Sequence, residues 1–174
     1  MEVEITVIEE NFETIDSLEK ILNLIKRRGI QIKKIEYLYY PYWIISLTVI
    51  VKQLFGVREF KKVHLMIEGL TGIIGYCEEP RLKGRYAEKE KLLEPKVKKP
   101  RIEEKIKKFI LETFPREYKI SMIKEITINN MNITLAYKKF WILDLFNPGN
   151  GKRTKLLIDS VSGATEYVLS YDSS

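Results

Sequence analysis

The feature that most constrains this chain is an internal match: His64 to Tyr76 aligns with Lys155 to Tyr167 at a constant offset of 91 residues. Leu65 meets Leu156, Ile67 meets Ile158, Glu68 meets Asp159, Thr71 meets Ser162, Gly72 meets Gly163 and Tyr76 meets Tyr167. The shared pattern is an aliphatic run, an acid, two residues, Thr or Ser, and Gly. Physically this is a tight hairpin connection, in which carboxylate and hydroxyl accept backbone N–H groups and glycine supplies positive φ. Glu68, Gly72, Asp159 and Gly163 are therefore read as turn-forming residues, not as chemistry. The same offset pairs Ile35 with Ile126 and Leu54-Phe55 with Leu145-Phe146.

Upstream of each match lies an amphipathic helix. Asp16 with Glu19 forms a cap signal, and Leu18, Ile21, Leu22 and Ile25 recur at helical spacing before Lys26-Arg27-Arg28-Gly29. In the second half Pro100 opens a helix, Ile102, Ile106, Phe109 and Ile110 form its stripe, and Pro115 stops it. A strand from Val3 to Ile8 precedes the first helix. Strands follow each helix, broken by Pro41 in the first half and by Asn129-Asn130-Met131-Asn132 in the second. The fold class predicted is α+β, two tandem repeats of a helix packed on an antiparallel β-meander (PepSY/cystatin-like), joined by a basic linker. The boundaries are 1–79 for the first repeat, 80–99 for the linker, with a short helix from Tyr86 to Leu93, and 100–174 for the second.

The strand faces disagree at this offset. Trp43, Ile45, Leu47, Val49 and Val51 form the apolar face of one half, and Ile133, Leu135, Tyr137, Trp141, Leu143 and Leu145 that of the other. An odd offset exchanges odd and even positions, so a one-residue shift or a β-bulge in one half is expected.

A helix, a three-stranded meander and a closing acid-x-x-Thr/Ser-Gly turn together resemble the PepSY-like group of small α+β domains. The matching segments are Ile67-Glu68-Gly69-Leu70-Thr71-Gly72 and Ile158-Asp159-Ser160-Val161-Ser162-Gly163. The resemblance implies a non-catalytic module of the kind that accompanies peptidases, sometimes as an inhibitory or chaperoning segment.

Charge is concentrated. The net charge is +6, yet Arg81 to Lys108 alone holds twelve Lys or Arg against five Glu. The amino terminus is acidic where an export signal would be basic, and Cys77 is the single cysteine, so a cytoplasmic address is expected. The longest uncharged run, Tyr37 to Val51, is shorter than a membrane-spanning helix needs. Abundant Lys, Glu and Ile with two Gln lean toward a thermophile composition.

No constellation of catalytic residues is found. His64 is the single histidine, which excludes a His-based triad or a His-rich metal site within one chain. Gly149-Asn150-Gly151-Lys152-Arg153-Thr154 lacks the spacing of a phosphate loop. No enzymatic activity, no cofactor and no metal are expected.

What remains is surface. Tyr37, Tyr39, Tyr40, Tyr42 and Trp43 put five aromatics into seven positions, and their counterparts at offset 91 are not aromatic. The functional expectation is a non-enzymatic binding or interaction module for a protein or peptide, a second copy of the chain included, acting through this cluster or a free sheet edge. The alternative is nucleic-acid binding, with Lys96, Lys98, Lys99 and Arg101 on phosphates and Tyr rings stacking on bases.

Overall fold

A computed structural model describes residues 1–9, 12–56 and 58–168. The elements in chain order are β1 (Glu2–Ile8), α1 (Phe12–Arg27), β2 (Gln31–Gln53), β3 (Arg58–Glu68), β4 (Ile74–Tyr76), β5 (Leu82–Glu88), a 3-10 turn (Lys89–Lys91), α2 (Lys99–Glu117), β6 (Ile123–Asn147), β7 (Lys152–Asp159) and β8 (Thr165–Val168). The described residues are mostly a large mixed sheet, with β1 and β6 meeting in parallel at Val7 and Tyr137 and the other strand registers antiparallel.

This overturns the expectation of tandem helix-on-meander repeats. The compact units are not contiguous: one comprises Met1–Tyr40, Arg81–Leu93 and Ala136–Ser174, the other Pro41–Pro80 and Glu94–Leu135. In the first unit α1 sends Ile25, Leu18, Ile21 and Leu22 onto Leu143, Leu145, Leu156 and Ile158, all from β6 and β7. In the second, α2 buries Ile102, Ile106, Ile110 and Phe114 against Ile45, Leu47, Val49 and Val51 of β2 and Val63, Leu65 and Ile67 of β3. Each helix thus buries its stripe on strands from the far half of the chain, and the strand that follows it joins with partly buried residues, Ile32 beside α1 and Ile126, Ile128, Met131 and Ile133 beside α2.

The reason is length. A 16-residue helix extends about 24 Å, whereas the 23-residue β2 extends roughly 75 Å. One helix cannot cover such a strand, so β2 and β6 each divide between two cores. Apolar periodicity says that a helix face must be covered, but not by which strands.

Both expected strand breaks are absent. Pro41 lies buried inside β2, where its carbonyl accepts the Gly69 N–H at 2.8 Å and no donor is required of it. The Asn tract lies inside β6, where Asn130 takes φ 52°. Ile126 and Ile128 before it, and Met131 and Ile133 after it, all pack on the α2 core, so the parity changes at Asn130 as it does at a bulge.

The expected linker is also structured. Leu82–Glu88 pairs with β1 in antiparallel register, Glu2 opposite Glu88 through Ile8 opposite Leu82, so the Tyr86-to-Leu93 helix is replaced by strand and a 3-10 turn. Helix α2 runs past Pro115 to Glu117, the proline leaving one N–H bond to the preceding turn unmade, and Lys119 at φ 51° ends it. Helix α1 begins at Phe12, one turn before the expected cap. The Asp16 side chain lies outside what is described.

Candidate functional site

The first unit gathers aromatic rings and cations around the amino-terminal half of β2. Tyr39 is buried, and its carbonyl accepts the Leu93 N–H at 3.0 Å. Tyr37 is half-buried, edge-to-face with Tyr39 (5.8 Å) and with Trp141 of β6 (5.7 Å). The Lys139 ammonium lies 3.7 Å from the Trp141 ring centroid and 5.0 Å from that of Tyr37, and Lys91 stands 5.5 Å from Tyr37. Such cation–π contacts hold a positive charge in a fixed place, each contributing on the order of 1 kcal/mol. Tyr40 packs edge-on against Phe140 at 6.0 Å.

The Tyr37 hydroxyl donates to Glu88, the last residue of β5, at 3.4 Å. Partial burial and then the Glu88 carboxylate raise the Tyr37 pKa, keeping the hydroxyl a neutral donor. This bond joins the aromatic group to a sheet edge. Among the described residues β5 is a terminal strand, paired as a ladder with β1 alone. Most of its residues are exposed, including Tyr86 at 68% and Leu82 at 38%.

The other sequence-predicted residues lie in the second unit. Tyr42 is buried, and Trp43 packs on the α2 core while its indole N–H donates to the Val97 carbonyl at 2.9 Å. The N–H groups of Lys96 and Val97 both donate to the Gly69 carbonyl at 2.9 Å, anchoring the entry to α2 on the β3–β4 turn. The side chains of Lys96, Lys98, Lys99 and Arg101 are exposed along that entry. Of the five aromatics, therefore, Tyr37 and Tyr40 keep surface in the first unit, while Trp43 serves the core of the second.

The turns are alike in geometry and unlike in environment. Gly72 (φ 76°) and Gly163 (φ 71°) donate their N–H to the carbonyls of Glu68 (2.8 Å) and Asp159 (2.9 Å), and Thr71 and Ser162 hydroxyls donate to the two carboxylates. Asp159 also accepts the N–H groups of Val161 (2.8 Å) and Ser162 (3.2 Å) and is ion-paired with Lys138. Burial alone would raise its pKa, but Lys138, Ser162 and Val161 outweigh burial and hold it below the usual value.

Trp141, Phe140 and Lys139 were not expected as site residues, although a signal for them exists. Tyr42 pairs with Glu68 and Phe140 with Asp159, so equivalent positions on β2 and β6 lie 98 apart although the turns lie 91 apart. At 98, Tyr39 meets Tyr137, Tyr42 meets Phe140, Trp43-Ile44 meets Trp141-Ile142 and Leu47 meets Leu145. The aromatic cluster is thus not confined to one half. The second hairpin is seven residues shorter, an odd number, and that accounts for the strand faces that disagree at offset 91.

His64 Nε2 lies 3.7 Å from Glu79, which also accepts from Lys62 at 2.8 Å, and that lysine lowers the Glu79 pKa. Burial pushes the Cys77 thiol up, away from a nucleophilic thiolate. In the 148–151 loop the Gly149 and Lys152 N–H groups donate to the side chains of Asn147 (2.9 Å) and Asn150 (3.0 Å), so neither forms an anion cradle. Among the described residues no three His, Cys, Asp or Glu side chains group as metal ligands.

No family model, curated protein or solved structure matches this chain.

Proposed function

We propose that this chain is a non-enzymatic, cytoplasmic binding module that takes up an extended protein segment or peptide at β5. The observation that supports this reading is the open flank of a seven-residue strand ending beside the Tyr37–Lys139–Trp141 group. A peptide added there gains main-chain hydrogen bonds along β5 and a ring-and-cation contact at one end. Lys83 and Arg85 on the strand, with Lys91 and Lys139 beyond it, favour an acidic segment. No described helix is long and apolar enough to cross a membrane.

A random peptide library displayed on phage and panned against the full chain tests this. Extended, acidic sequences are expected, with slowed hydrogen exchange along 82–88 on binding and affinity reduced about tenfold by Trp141→Ala. No enrichment, or protection confined to other strands, would refute it. Nucleic-acid binding is the second reading, supported by the exposed Lys96, Lys98, Lys99 and Arg101. It requires affinity for labelled single-stranded RNA or DNA that falls steeply with salt. The cations already lying over Tyr37 and Trp141 make those rings poor platforms for bases.

A further inference from the structure

The two long hairpins end differently. The β6–β7 tip is Pro148-Gly149-Asn150-Gly151, closed by the Asn147 and Asn150 side chains. The β2–β3 tip begins Leu54-Phe55-Gly56, and its apolar side chains are outside: Leu54 is 62% and Phe55 81% exposed. Phe60, opposite Ile50 on the same hairpin, is 64% exposed. Met122 is 58% exposed, and its carbonyl accepts the Leu54 N–H at 2.9 Å, so it stands directly beside the tip. The polar tip demonstrates that such a hairpin turns without apolar residues. Water contact at four large apolar groups is unfavourable, and nothing in the turn geometry requires it.

Cations flank this patch along the chain. Lys52 and Arg58 face each other where the hairpin closes, Lys119 lies three residues before Met122, and Lys124 two after it. Glu59 and Glu125 are the adjacent acids, and Glu59 is engaged by the Gln53 amide at 3.0 Å. We propose that this tip docks on an anionic lipid surface, with Leu54 and Phe55 entering the acyl boundary and the flanking Lys and Arg on lipid phosphates. Apolar insertion with a cationic rim is the chemistry of interfacial membrane binding. A second copy of the chain fits less well, because the cationic rims of the two copies would face each other.

Sedimentation with vesicles decides this, using the full chain. Vesicles of roughly three parts phosphatidylcholine to one part phosphatidylserine should bind the protein, and phosphatidylcholine alone far less. The double variant Leu54→Ser/Phe55→Ser should weaken binding at least tenfold without lowering Tm, because both side chains are already in water. Lys52→Gln/Arg58→Gln should weaken it several-fold and flatten its salt dependence. Leu111→Ser, at an exposed site on α2, should change nothing. The proposal fails if the anionic vesicles do not bind. It fails equally if Leu54→Ser/Phe55→Ser leaves vesicle binding intact, or if light scattering shows that this variant instead dissociates a dimer that never bound vesicles.

Discussion

The hairpins β2–β3 and β6–β7 share a turn, a Trp-Ile pair and a helix laid across them, and they differ in what surrounds those parts. In β6–β7 the turn acid is buried and ion-paired with Lys138, and the residue after it is Ser160, whose N–H donates to the Lys139 carbonyl at 3.1 Å. In β2–β3 the turn acid holds Thr71, and the residue after it is Gly69, donating to the Pro41 carbonyl. A Cβ at Gly69 would lie 2.8 Å from that oxygen and from Pro41 Cγ. The same hydrogen bond is thus supported by electrostatics in one hairpin and by close backbone approach in the other.

The largest effect expected from breaking this comparison is at Asp159. Asp159→Ala removes the ion pair with Lys138 and frees two turn N–H groups, so a loss of about 3 kcal/mol is expected in urea unfolding. Glu68→Ala, at the matching position, should cost under about 1 kcal/mol, because no described cation pairs with it. Equal losses would erase the distinction.

Next is Gly69→Ala, expected to cost about 2 kcal/mol, since the new methyl meets backbone that cannot shift without moving Pro41. Ser160→Ala should be neutral or slightly stabilising, because its buried hydroxyl has no hydrogen-bond partner among the described residues.

The smallest effect is with pH. The Asp159 pKa is lower folded than unfolded, so its stabilisation is complete above the unfolded value of about 3.9 and fades as pH falls through the folded one. Chemical denaturation from pH 6 downward should show wild type losing part of its advantage over Asp159→Asn. A constant difference would remove the ion pair from the account.

Much of the local structure is legible in the residues. Leu18, Ile21, Leu22 and Ile25 mark α1, Ile102, Ile106 and Ile110 mark α2, and the acid-to-glycine pattern marks two turns, because each depends on neighbours within a few positions. The strand ends were not legible. Pro41 and the Asn tract signal breaks in isolation, yet the chain continues through both, since a carbonyl acceptor and a left-handed Asn130 satisfy the sheet there. The aromatic group was half visible. Tyr37 stands out in its own strand, but Trp141 and Lys139 join it only through a register that offset 91 conceals.

By itself, then, the sequence determined two amphipathic helices, two alike turns, and the apolar stripes that had to be covered. Those follow from backbone geometry and the periods 3.6 and 2, which act over short distances. Tertiary structure alone decided that α1 covers β6–β7 and α2 covers β2–β3. A helix stripe is complementary to either set of strands, and only the length of β2 and β6, with the connections available, selects between them.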